Sequence, residues 1–318
     1  MDNPFPYSSD NKRYYTWNYF LQNKFGCKVT KIALNGGFTC PNIDGTRGFG
    51  GCSYCAGGSG EFAGAPQMSI TEQFEDVRRR MGKKWHDTKY IPYFQANTNT
   101  YAPVSRLKKL YEEALACEGV VGLATATRPD CISGEALNYL CELSKRTYLL
   151  VELGLQSIHD KTGERINRGH SYAEFLDCYS RLRACGINVC VHLIIGLPGE
   201  TREMMLESVK AVAALRPQCV KLHLLHVLKG TRLAKEYEAG EFECMELAEY
   251  VNIVVDSLEL LPPDTVIQRL TGDGGRESLI APLWSLKKFV VLNEIDKEMA
   301  RRGTMQGAKR NLKETLSE

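Results

Sequence analysis

The chain has 318 residues, 43% of them hydrophobic and 25% charged, and its 40 lysines and arginines against 38 acidic residues give a net charge of +2. This composition excludes a disordered or collagen-like chain and supplies enough apolar surface for a core that needs no staples. No stretch approaches 18 apolar residues and the opening MDNPFPYSSDNKRYY has no apolar leader core, so no membrane span is expected and the location is read as cytoplasmic.

From residue 28 short β-branched runs alternate with amphipathic segments. The pattern predicts strands over Lys28–Leu34, Tyr90–Gln95, Val120–Thr125, Tyr148–Leu155, Asn188–Ile195 and Val220–His226. Helices are predicted over 70–84, 103–117, 133–145, 172–185 and 201–215. Ser69 with Glu72 forms a capping box, Ser133 offers a cap alone, and Gly186 stops the helix before it. Such βα alternation implies a parallel sheet with right-handed crossovers, an open partial (β/α)6 barrel of TIM type. Beyond residue 227 helical patterns cover Thr231–Ala239, Cys244–Leu261 and Leu283–Arg302, interrupted by Pro262-Pro263 and the polar loop Thr271-Gly272-Asp273-Gly274-Gly275. The reading is an N-terminal segment 1–27, a barrel 28–227 and a mostly helical extension 228–318 whose basic tail is mobile unless bound.

Two basic clusters stand out: Arg78, Arg79, Arg80, Lys83 and Lys84, and Arg301, Arg302, Lys309, Arg310 and Lys313. Each reads either as a solvated helix face or as a contact for nucleic-acid phosphates.

Of the twelve cysteines, Cys27, Cys117, Cys131, Cys141, Cys178, Cys185, Cys190, Cys219 and Cys244 are scattered singly among apolar segments and read as reduced, mostly buried thiols. The other three fall in Cys40-Pro-Asn-Ile-Asp-Gly-Thr-Arg-Gly-Phe-Gly-Gly-Cys52-Ser-Tyr-Cys55, directly after the first strand. In a parallel barrel that is the carboxyl face, where active sites collect. Gly45, Gly48, Gly50, Gly51 and Gly57 let the chain bend around a bulky inorganic centre. Three thiolates without a nearby histidine suit an iron–sulfur cluster better than closed zinc coordination, and they leave one iron open to chelate a methionine moiety.

This segment resembles the cluster loop of radical S-adenosylmethionine (SAM) enzymes, in the elongator-like branch that widens the usual C-x3-C-x2-C spacing to the C-x11-C-x2-C present here. The resemblance implies that Cys40, Cys52 and Cys55 hold a [4Fe–4S] cluster that cleaves SAM to a 5′-deoxyadenosyl radical. It further implies that Glu152 and Gln156 approach the SAM amino group or ribose and that Arg168 meets the carboxylate. Ile195 and Gly196 would pack against adenine, with the Tyr54 backbone beside the same ring. Asn97, Thr98 and Asn99 stand where the family binds the methionine amino group, but the usual Gly-Gly-Glu is missing, and a plain Asn/Thr turn fits nearly as well. The alternative for Glu152 is a strand carboxylate paired with a barrel lysine or arginine. His192 and His223 read as barrel-lining residues; His226 and Lys229 lie where substrate groups are plausible.

The segments Asn42–Gly51, Phe94–Pro103 and Thr304-Met305-Gln306-Gly307 resemble a bacterial elongator-like family linked to tRNA wobble-uridine modification, the conversion of carboxymethylaminomethyl to aminomethyl. Expected partners are tRNA and an electron donor such as flavodoxin or ferredoxin. Two alternatives stand beside this reading: a radical SAM enzyme for a small molecule or peptide, and a non-catalytic iron–sulfur protein of nucleic-acid-binding or electron-transfer type.

Overall fold

The computed structural model describes residues 3–56, 63–82, 88–272 and 274–310, without the side chains of 81 and 82. Gly57, Lys83, Lys84, Asp273 and Lys313 lie outside the described residues. In chain order the elements are α1 (Trp17–Phe25), β1 (Val29–Leu34), α2 (Ile70–Gly82), β2 (Lys89–Phe94), α3 (Val104–Leu115), β3 (Gly122–Thr127), α4 (Gly134–Arg146) and β4 (Tyr148–Gln156). There follow α5 (Asp160–Arg165), α6 (Tyr172–Ala184), β5 (Asn188–Ile195), α7 (Arg202–Leu215), β6 (Cys219–Leu224), β7 (Val227–Leu228), α8 (Arg232–Glu238), α9 (Leu247–Leu260), β8 (Val266–Arg269), β9 (Leu279–Ala281) and α10 (Lys288–Arg301).

Seven parallel strands form one sheet in the order β1-β2-β3-β4-β5-β6-β8, the partial (β/α) barrel topology predicted from the alternation. Six strands are expected from the sequence. The seventh, β8, comes from the extension, where four residues pair in parallel with β6. β7 and β9 form a separate antiparallel ribbon.

The chain divides into two compact units. The first comprises Leu21–Leu155 with Glu164–Cys190. Its strands β2, β3 and β4 are buried on both faces, as parallel strands under helices must be. Gly122 is required in β3, because a Cβ there would lie 2.5 Å from the Tyr148 carbonyl oxygen. Tyr111 of α3 is fully buried, and its hydroxyl is satisfied by the Asn99 carbonyl and Thr125 Oγ1, both at 2.8 Å. The predicted caps are present: Ser69 and Glu72 bond reciprocally before α2, and Ser133 Oγ accepts from Ala136 N at 3.1 Å. One expectation is corrected here. Cys141 of α4 and Cys185 at the end of α6 form a disulfide, their Cα atoms brought to 5.4 Å by the adjacent placement of the two helices.

The second unit comprises Met1–Phe20, Gln156–Gly163 and Val191–Glu318. Residues 304–310, expected to be a mobile tail, are tied down. Gln306 is buried, its amide donating to Pro262 O and to Thr265 O at 2.8 Å while its oxygen accepts from Tyr15 N at 2.9 Å. Arg302 and Lys309 pair with Asp256 and Glu259 of α9, and Arg202 also meets Asp256. Burial opposes ionisation of Asp256, but these cations outweigh it and hold its carboxyl below the ordinary range. The other described cluster is likewise paired: Arg78 with Glu75 and Glu118, Arg80 with Asp76.

Candidate iron–sulfur and cofactor site

The wide spacing of the three cysteines is resolved by a compact excursion. After β1 the chain turns at Cys40, whose carbonyl accepts from Ile43 N (2.8 Å) and Asp44 N (3.1 Å). Pro41 O accepts from Arg47 N at 2.8 Å, Asp44 bridges Phe49, and Gly51 N donates to Asn42 O at 2.8 Å. The chain thus returns beside its own start, and Cys52 arrives next to Asn42. Gly45, Gly50 and Gly51 take φ of 90°, 78° and 73°, a region L side chains avoid. Asn42 is fully buried at the centre, its Nδ2 bonded to Asn167 O and 3.8 Å from Cys52 Sγ. Cβ atoms on Gly48 or Gly169 would come within 2.6 or 2.8 Å of Asn42 Oδ1, so this amide also dictates two of the glycines.

Cys40, Cys52 and Cys55 form no disulfide and are half-buried, and Cys55 and Cys40 both act on the Cys52 thiol. Burial first, then the neighbouring Cys55, pushes the Cys52 thiol up to about 11, while Arg128 acts against the rise. Tyr54 bonds Cys52 through its hydroxyl, which burial and the two cysteines drive well above its ordinary value. Three thiols in one loop, the buried Cys52 thiol disfavoured as a thiolate by its two neighbours, are a donor set whose charge a cationic iron cluster would satisfy, and the loop offers three thiols rather than four. Cys131 also senses Cys40, but its thiol is engaged with Asp130 Oδ1 at 3.6 Å. The residues present fit the cluster.

The neighbouring strand ends of the same unit add polar groups. Thr98 N donates to Thr39 O at 3.2 Å, which ties the turn after β2 to the residue before Cys40. Asn97 takes φ 61° and donates to Phe38 O at 2.9 Å. Asn99 donates to Ala126 O at 2.9 Å, and its buried Oδ1 has no partner among the described residues. Arg168 is buried, with Nε on His170 O (2.9 Å) and Nη1 on Leu155 O (2.8 Å). Glu152 is fully buried and paired with Lys31, whose ammonium also lies 4.6 Å from the Tyr93 ring centroid.

Sequence reasoning assigned no role to Asn42, Asn167, Arg128 or Asp130. Arg128 grips Asp130 through two bonds, 3.0 and 2.8 Å, and donates to Arg168 O at 2.5 Å. Burial opposes its charge, yet Asp130 and the nearby Cys40 hold Arg128 above the ordinary guanidinium range. The available signal was its position, the first residue after a strand of a parallel sheet.

In the second unit, Gln156 takes φ 65° and its buried Oε1 has no partner among the described residues. Ile195 is buried, its carbonyl accepting from Leu225 N at 3.0 Å. Gly196 takes φ 89°, a conformation L side chains rarely adopt, and its N donates to Met205 Sδ at 3.3 Å. His192 and His223 face each other with ring centroids 5.1 Å apart. Among the described residues, no helix is long and apolar enough to cross a membrane.

The radical SAM superfamily model matches residues 44–212, and the radical SAM C-terminal domain model matches 217–301. The chain belongs to the radical SAM superfamily, whose members bind a [4Fe–4S] cluster and S-adenosylmethionine. It is similar to the uncharacterized protein YtqA of Bacillus subtilis, 52% identical over 308 residues that cover 96% of each chain. A tRNA uridine(34) acetyltransferase of Methanocaldococcus infernus is 29% identical over 156 residues, 48% of this chain and 29% of that one. Among solved structures, the archaeal Methanocaldococcus infernus Elp3 lacking its N-terminus shares the fold, with a TM-score of 0.65 at 21% identity. That match covers 87% of this chain, which spans 64% of the archaeal one.

Proposed function

We propose that this radical SAM enzyme acts on the wobble uridine of tRNA, removing the carboxymethyl unit from a carboxymethylaminomethyl side chain: hydrogen is taken from the glycyl methylene, the substrate radical gives back the one electron spent on SAM, and water releases the unit as glyoxylate, leaving the aminomethyl group. The observation that carries the reading is the similarity of 156 of its residues to a relative named for uridine 34 of tRNA. The elongator-like cluster loop supports it.

Cys40, Cys52 and Cys55 hold the cluster in this reading, and the Asn42 amide keeps the wide loop shut around it. When bound, the cluster and SAM supply one-electron chemistry, a 5′-deoxyadenosyl radical that takes hydrogen from a substrate carbon. The chain's own residues bind and orient. Arg128 and Arg168 provide positive charge for the methionine carboxylate, and Asn97, Thr98 and Asn99 provide polar groups for its amine. Within the first unit Glu152 offers an acceptor to amine or ribose and Tyr54 a backbone edge to adenine; within the second, Gln156 offers an acceptor and Ile195 with Gly196 an apolar strand end. A cytoplasmic flavodoxin or ferredoxin is the proposed electron donor.

The test is nucleoside mass spectrometry. Reconstituted enzyme with SAM and reductant is incubated with tRNA bearing the carboxymethylaminomethyl group. An aminomethyl product at the wobble position is expected. An unchanged wobble nucleoside, with SAM cleavage stimulated instead by a small molecule or peptide, would overturn the reading.

A further inference from the structure

If tRNA is the substrate, its phosphates need cations, and among the described residues of the two basic clusters conspicuous in the sequence Arg78, Arg80, Arg301, Arg302 and Lys309 are engaged in ion pairs. Arg302 and Lys309 serve Asp256 and Glu259, and Arg78 and Arg80 serve their own helix and Glu118. We infer that the RNA instead rests on the β7–β9 ribbon and the turn that opens α10, a surface presenting Lys229, Arg276 and Lys287 with Leu283, Phe289 and Val290. This placement rests on the tRNA reading above.

Three observations carry it. First, exposed apolar area is concentrated there: of seven large hydrophobic side chains exposed among the described residues, three are Leu283, Phe289 and Val290, and Phe289 at 81% is the most exposed. Second, Lys229, Arg276 and Lys287 are exposed and, among the described residues, have no acidic partner. Third, the platform is rigid, so these exposures are imposed rather than incidental. Lys229 N donates to Ser278 O at 2.8 Å, and Val227 pairs with Ala281. Trp284 is anchored through Nε1 to Met245 O at 3.0 Å, and Ser285 is buried with Oγ on Pro282 O at 2.8 Å.

Lys229 follows β7 and Arg276 precedes β9, so both cations sit at one end of a ribbon whose longer strand has only three residues. The turn bearing Leu283 and Lys287 leaves the other end, roughly 10 Å away at about 3.3 Å per residue. Cations with an aromatic ring among them, at about the spacing of successive phosphates, are the ingredients of a sequence-tolerant single-strand platform. The ribbon also grows from the carboxyl ends of β6 and β8, where open parallel sheets collect ligands. Gly272, after β8, is packed so closely that a Cβ would lie 2.4 Å from His226 Cε1, after β6. This contact fixes the two strand ends to each other. Next to it Thr271 is fully buried, and its hydroxyl has no partner among the described residues. A loop bearing the anticodon, laid on this surface, would direct an extruded base toward those strand ends. An acidic partner protein would also suit the cations; the bare Phe289 ring favours a stacked base.

The test is tRNA binding by the cluster-loaded full chain, followed by fluorescence anisotropy over a salt series. Phe289→Ala should weaken binding about tenfold with an unchanged salt slope. Lys229→Glu/Arg276→Glu/Lys287→Glu should weaken it more and flatten the slope by about two. Lys109→Glu/Lys145→Glu, on exposed cations of α3 and α4, should bind as wild type. Tm and tRNA-independent SAM cleavage should be unchanged throughout. If wild type binds tRNA and both surface variants match it, the surface is wrong while the tRNA reading stands. Variants that keep tRNA but lose a reducing flavodoxin would reassign the surface to a protein and overturn the inference. A wild type without saturable tRNA binding overturns both.

Discussion

Asn42 and Asn167 close the cluster loop reciprocally: the Asn42 amide donates to the Asn167 carbonyl, and the Asn167 amide donates to Phe49 O (3.2 Å) and Gly51 O (2.8 Å). Asn167 reaches this position with φ 52°, a conformation asparagine tolerates better than most residues. The pair converts an eleven-residue gap into a closed turn and places Asn42 Nδ2 3.8 Å from Cys52 Sγ. Asn42→Ala removes these donors and orphans buried groups, worth about 1–3 kcal/mol. The cluster should then be lost roughly tenfold faster on anaerobic dilution into chelator, read as decay of its visible absorption. Loss at the wild-type rate would remove Asn42 from the account.

Lys31 and Glu152 are partners inside the first unit, with Glu152 wholly buried. Lys31→Met strands a buried carboxylate and should cost about 3–5 kcal/mol, whereas Lys31→Met/Glu152→Leu should recover most of it. Urea midpoints under nitrogen would show this. A single variant as stable as wild type would mean that the carboxylate is neutral or solvated.

Burial, then the charges of Arg168 and Arg128, pushes His170 down to about 4 from an ordinary value of 6.5. Neutral His170 therefore contributes stability that is complete above pH 6.5 and lost as pH falls toward 4, on the order of 3 kcal/mol at most. Tm measured from pH 7 to 4.5 should fall less steeply in His170→Gln than in wild type. Asp130, held low against its burial by Arg128, loses its contribution only below the ordinary carboxylate range and does not confound this window.

Gln306 joins the C-terminal segment to both Tyr15 and the Pro262–Thr265 turn. Gln306→Ala should lower stability by about 2–4 kcal/mol, through several buried groups left unmade. It should also raise amide hydrogen exchange across 304–310. Unchanged protection there would show that the Arg302 and Lys309 ion pairs suffice.

Much of this architecture is legible in the sequence because it is local. β5 spans Asn188–Ile195 as predicted, bounded by Gly186 and by Gly196-Leu197-Pro198. The capping box at Ser69 and the glycine-rich cysteine loop are likewise local chemistry. β8 is four residues after two prolines, and only pairing with distant β6 makes it a strand. The β-branched Val120 and Val121 suggest a start of β3 two residues early, although the strand begins at Gly122. Its true end exposes Arg128 as a strand-end residue, which the early register concealed. The ion pairs of Arg302 and Lys309 and the Cys141–Cys185 bridge join distant segments, and no local pattern announces them.

The most direct measurement quantifies 5′-deoxyadenosine from anaerobically reconstituted protein with SAM and dithionite, with and without tRNA from cells lacking this enzyme. The account predicts release by wild type that rises with tRNA, and none by Cys40→Ser, Cys52→Ser or Cys55→Ser. Wild type with an intact cluster that leaves SAM uncleaved, with or without tRNA, would contradict it.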